Sequence, residues 1–170
     1  VITAKPITVT ADAGQTKVYG EIDPAFTYTN TSLIGSDTFT GLLGRAAGQN
    51  KGAYAINQGT LDAGSNYAIN FVSKDFSITA KPITVTANAG QAKVYGESDP
   101  AFTYTNDLLV SGDSFTGVLS RVANENVGSY AITQGTLTAG GNYTITLVPN
   151  NFVITAKPIT VTADAGQTKV

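Results

Sequence analysis

At 170 residues the chain has length for one domain or two small ones, and a hydrophobic share of 42% supplies a packed core and argues against disorder. Only 13% of residues are charged, the net charge is −2, and the ten Lys and Arg are scattered, so there is no basic stripe to bind nucleic acid. Cys and His are absent, which excludes disulfides, zinc sites, thiol nucleophiles and Ser-His or Cys-His catalysis.

In chain order, alternation at period two dominates. In "PITVTA" (6–11), Ile7 and Val9 fall on one face and Thr8 and Thr10 on the other; in "AFTYTN" (25–30), Phe26 and Tyr28 oppose Thr27 and Thr29. "GAYAIN" (52–57) offers Tyr54 and Ile56, "NYAINF" (66–71) offers Tyr67, Ile69 and Phe71, and "DFSITA" (75–80) offers Phe76 and Ile78. β-Branched and aromatic residues fill these runs, and Gly, Asn, Asp and Ser separate them, as strands and turns require. No stretch of ten or more residues has helical periodicity; a single turn at "SLIGSD" (32–37) is the nearest candidate. About six short strands are predicted by residue 80, with Tyr19, Phe26, Tyr28, Phe39, Tyr54, Tyr67, Phe71 and Phe76 as core aromatics.

The pattern then repeats. "KPITVTA" begins at Lys5, Lys81 and Lys157, an offset of 76 each time, and "KVYGE" (17, 93), "DPAFTYTN" (23, 99) and "QGTL" (58, 134) obey the same offset. Roughly two thirds of positions match between 5–80 and 81–156, and residues 1–18 are letter for letter residues 153–170. The expected organisation is the tail of a preceding repeat (1–4), repeat unit 1 (5–80), repeat unit 2 (81–156) and the first strand of a following repeat (157–170), as in a piece of a longer, nearly uniform array. A period of this length exceeds that of solenoid repeats, so each unit is expected to be a small domain. The interdomain junction is Ala80, Lys81 and Pro82, with Pro fixing φ and removing a donor where a sheet cannot continue. So short a linker predicts units standing end to end as an elongated rod. Residues 157–170, an apolar strand with an open edge, are expected to be disordered or to pair between molecules of an otherwise monomeric chain.

The segments "VYGEIDPAFTYT" (18–29), "SDTFTGLLGR" (36–45), "GAYAINQGTL" (52–61) and "NYAINFVSKDFSITAKPITVTA" (66–87), with their second copies, resemble the MBG domain, YG type. The resemblance covers essentially the whole chain. It implies tandem repetition, an extracellular location on the bacterial cell surface or in secreted proteins, and a structural or adhesive role in large adhesin-like, biofilm-type proteins. It brings no catalytic residue, cofactor or ligand site. Family and strand pattern together predict a mainly β fold of two tandem small β domains. Each is a β-grasp-like mixed sheet or an immunoglobulin-like sandwich, with first and last strands side by side and parallel.

Candidate sites are sparse, and no catalytic, cofactor-binding or metal-ligating residue is assigned. Glu21 with Asp23, and Glu97 with Asp99, could share a calcium ion, but Asp-Pro is a common turn opener and no D-x-D-x-D-G loop is present. On the alternative reading Asp23 accepts backbone N–H groups. Asp37 and Asp113 also recur. Asp12 with Glu21 has the composition of a glycosidase carboxylate pair, but Asp12 is replaced by Asn88 in the second unit. Lys5, Lys17 and Asn66, recurring as Lys81, Lys93 and Asn142, are candidates for an intramolecular Lys–Asn isopeptide bond. Thr8 and Thr10 with Thr27 and Thr29 form short exposed rows. No apolar run approaches the roughly 20 residues of a membrane-spanning helix. The absence of Met, a low charge and many small polar residues suit a bacterial extracellular protein. No signal peptide is present, as expected of an internal piece. The expected function is a structural stalk or spacer repeat of a large surface adhesin. The alternative is a weak carbohydrate- or protein-binding module acting by avidity, with glycans or host and matrix proteins as partners.

Overall fold

A computed structural model describes residues 2–166 and 169. The chain divides into two compact units: one holds Val1–Pro82 together with Val110–Gly112 and Ala139–Thr144, the other Ile83–Leu109, Asp113–Thr138 and Ile145–Val170. The described residues form strands, turns and irregular segments with no helix, so none could cross a membrane as one. The turn foreseen at 32–37 stays non-helical.

The first repeat has seven strands: β1 (Lys5–Ala11), β2 (Thr16–Val18), β3 (Tyr28–Asn30), β4 (Gly44–Arg45), β5 (Gly52–Asn57), β6 (Tyr67–Val72) and β7 (Asp75–Thr79). The second repeats the set as β8 (Lys81–Ala87), β9 (Ala92–Val94), β10 (Tyr104–Asn106), β11 (Ser120–Arg121), β12 (Gly128–Thr133), β13 (Tyr143–Val148) and β14 (Asn151–Thr155). Each alternating run expected in the first repeat overlaps a strand, whereas the first strand expected at 157–170 is not formed among the described residues. The Lys-Pro pair, however, lies inside the strand: β8 begins at Lys81, so Ala80 alone separates it from β7.

Each repeat builds two sheets, ordered β3-β1-β6 and β2-β7-β5-β4 in the first, and β10-β8-β13 and β9-β14-β12-β11 in the second. β1 runs antiparallel to β3 (Thr10 opposite Thr29) and parallel to β6 (Val9 opposite Phe71). β7 runs parallel to β2 (Ile78 opposite Lys17) and antiparallel to β5 (Phe76 opposite Tyr54). Two layers correspond to the sandwich alternative rather than to one mixed sheet. The strand beside the last strand is β2, while the first strand β1 lies beside β6.

Alternation explains which side chains meet between the sheets. Val9 and Ala11 of β1 face Ile56 of β5 and Phe76 and Ile78 of β7, closed by Leu43 and Leu61. Val85, Ala87, Leu119, Ile132, Leu137, Phe152 and Ile154 form the matching cluster in the second repeat. Phe26 meets Phe76 edge to face at 5.1 Å between centroids, and Phe102 meets Phe152 at 5.2 Å. Burying these apolar faces is the main force holding so small a sandwich.

One glycine positions β4. Gly41 has φ of 72° and sits so close to the returning chain that a Cβ would lie 2.0 Å from the Thr60 carbonyl oxygen. Thr60 donates its N–H to Leu42 O, and Leu42 donates to Thr60 Oγ1, fixing the turn from which β4 leaves. Gly117 and Thr136 repeat the arrangement.

Residues 157–166 form no strand, and Ile159 and Val161 are 83% and 87% exposed. Residues 1, 167, 168 and 170, within the terminal segments assigned from sequence, lie outside the described residues.

Candidate functional site

The polar centre of each repeat grows from a lysine placed where alternation demands an apolar residue. Lys17 is the middle residue of β2, opposite buried Ile78, and its side chain is 3% exposed. An ammonium so placed needs a counter-charge. Asp23 provides it, delivered by the turn closed between Val18 O and Glu21 N with Gly20 inside it, and its Oδ1 lies 2.7 Å from Lys17 Nζ. Lys17 Nζ also donates to Glu21 O (2.9 Å) and to Gln49 Oε1 (2.7 Å).

Arg45, on β4, completes the cluster. Its Nε donates to Asp23 Oδ2 at 2.6 Å and its Nη2 to Oδ1 at 3.1 Å, a two-pronged grip that only a guanidinium can make. Its Nη1 donates to the Ala46 and Gly48 carbonyls, pinning the loop that follows. The guanidinium lies over the rings of Tyr54 (4.9 Å) and Phe76 (5.4 Å), so the charge rests on the core.

The second repeat rebuilds this with one change. Lys93 and Arg121 hold Asp99 at 2.7 Å and 2.6 Å, and Arg121 lies over Tyr130 and Phe152. Glu125 stands where the first repeat has Gln49, and bridges Lys93 Nζ through Oε2 and Arg121 Nη2 through Oε1.

These contacts set the charge states. The Arg45 hydrogen bonds, with help from Lys17, hold Asp23 below the ordinary carboxylate value despite desolvation; Arg121 and Lys93 do the same to Asp99. Asp99 first, then Glu125, push the Lys93 ammonium up, and Lys93 and Arg121 pull Glu125 down. Asp99 likewise raises Arg121. An ammonium raised and carboxylates lowered are poor proton carriers near neutrality, so the cluster is suited to holding charge rather than moving protons. A separate bond from Tyr67 Oη to Asp37 Oδ2 (2.6 Å) raises the phenol, while Ile34 N–H donates to Tyr67 Oη.

Asp23, read from sequence as a calcium candidate or an acceptor of backbone N–H, instead receives two side-chain cations. Glu21 Oε2 accepts from Val18 N and Glu97 Oε2 from Val94 N, each closing its own turn. Among the described residues no group of three or more Asp or Glu gathers as a metal site would require. Asp12, at the end of β1, bonds through its backbone to Thr27 and Gln15. Lys5 meets Asn66 through a backbone bond of 2.8 Å, and Lys17 Nζ is engaged with Asp23 and Gln49. The threonine rows do meet, and Thr8, Thr10, Thr29, Asn30 and Thr31 line a shallow depression of about 280 Å³. Sequence reasoning missed Arg45 and Arg121. The available signal was the recurrence of Lys17, Asp23 and Arg45 as Lys93, Asp99 and Arg121 at the offset of 76.

Two sandwiches, each with its buried polar side chains satisfied among the described residues, define a repeated structural module. The chain belongs to the MBG domain (YGX type) family, whose profile matches residues 7–77 and again 83–153. No curated protein matches it.

Proposed function

We propose that the tandem repeats are a structural spacer in a large bacterial surface adhesin, extending a binding region carried elsewhere away from the cell. The observation that carries this reading is that the buried charged cluster recurs at the same place in both repeats and is locked into salt bridges. Its groups serve the fold. Membership in a family found in adhesin-like surface proteins supports an extracellular setting, and a single residue between β7 and β8 leaves little slack to absorb extension. Exchanging the repeats in the parent protein for unrelated β-sandwich repeats of equal number should leave surface adhesion intact, whereas deleting them should weaken it. Adhesion lost on exchange, with display unchanged, would overturn the spacer reading.

A further inference from the structure

The one difference in charge between the two clusters makes the first an incomplete copy of the second. Lys93, Arg121, Asp99 and Glu125 carry two positive and two negative charges. Lys17, Arg45 and Asp23 carry two positive and one negative, because residue 49 is a neutral glutamine. Glu21 and Glu97 occupy equivalent turns and do not alter the comparison.

The hydrogen bonds show where the missing charge belongs. Gln49 Oε1 accepts from Lys17 just as Glu125 Oε2 accepts from Lys93. The other end differs: Glu125 Oε1 accepts from Arg121 Nη2, while Arg45 Nη2 donates to Asp23 alone among the described residues. A glutamine in that pose presents an amide N–H₂ where glutamate presents its second oxygen. Arg45 Nη2, which spends one N–H on Asp23, and Gln49 Nε2 therefore face each other as donors beside a surplus positive charge, with the Arg45 side chain only 6% exposed. This spot borders an open depression of about 610 Å³ lined by Asp23, Phe26, Leu42, Arg45, Ala46 and Gln49.

We infer that the first repeat binds a carboxylate carried by a small molecule, seated in the adjoining depression against Arg45 and Gln49 and supplying the negative charge that Glu125 supplies to the second repeat. The planar carboxylate matches the guanidinium edge, and Leu42 and Ala46 offer an apolar wall to the rest of the ligand. The site lies beyond the spacer role, because the second repeat folds the same way with the position occupied from within.

The test is a titration of the whole chain followed through the Arg side-chain Nε–H and Gln49 side-chain amide NMR signals, with sodium acetate and sodium glucuronate as probes and sodium chloride at matched ionic strength as control. Saturable shifts of Arg45 and Gln49 with either carboxylate, and none with chloride, are expected. Gln49→Glu should abolish them by closing the site internally, and Glu125→Gln should open an equivalent one that shifts Arg121. No saturable shift in the natural chain, equal shifts with chloride, or unchanged shifts in Gln49→Glu would each overturn the inference. Glu125→Gln keeps the test decisive if Gln49→Glu fails to fold, since an unresponsive Arg121 would count against the site.

Discussion

Phe76→Ala should cost the first repeat about 3–5 kcal/mol, the largest effect expected of any single core change. Phe76 is fully buried between the sheets, meets Phe26 edge to face and carries the Arg45 guanidinium on its ring. Truncation therefore opens a cavity and strips the cation of its support. A unit of this size holds on the order of 4–11 kcal/mol in all, so the variant repeat should be close to unfolded. Phe152→Ala should behave alike, because Phe152 is equally buried against Phe102 and Arg121. Urea denaturation read by tyrosine fluorescence checks both; a loss below about 1 kcal/mol would show that the core is not where these residues place it.

Asp23→Asn should be the next most damaging change, at about 3 kcal/mol, because it leaves Lys17 and Arg45 charged and buried with no counter-ion. The Asp23 side chain is itself 32% exposed, which holds the figure to the lower end of the range for broken buried pairs. Removing the whole cluster into apolar residues of similar volume should cost far less, since desolvation of the ions disappears with them. The same pairing gives the pH dependence its sign. Asp23 and Asp99 are held below their unfolded value near 3.8, so the stability they confer is complete above about pH 4 and is lost as pH falls through their depressed native values. Asp23→Asn with Asp99→Asn should flatten this acid limb; an acid limb of unchanged steepness would mean that other carboxylates produce it.

Much of the sandwich was legible in the sequence because its long strands alternate. Ile7 and Val9, Tyr54 and Ile56, and Phe76 and Ile78 occupy the facing positions that a period of two assigns. β2 and β4 were not legible, being three and two residues long, too short to show a period. The polar cluster was hidden for the same reason, since Lys17 and Arg45 stand on those two strands. Local sequence also does not decide the outcome alone. "KPITVTA" is a strand at 5–11 and 81–87 but not at 157–163, which pairs with no equivalent of β3 or β6 among the described residues. Tertiary pairing supplies what propensity does not. Phe26 shows the converse: its run reads as a strand from Ala25, yet β3 begins only at Tyr28 and Phe26 reaches the core from the preceding loop.

The most direct test of a spacer is how size grows with repeat number. Chains of two, four and six of these repeats, compared by small-angle X-ray scattering, should show a radius of gyration rising in proportion to repeat count. Growth near the 0.4 power of chain length, the behaviour of a compact particle, would contradict the account.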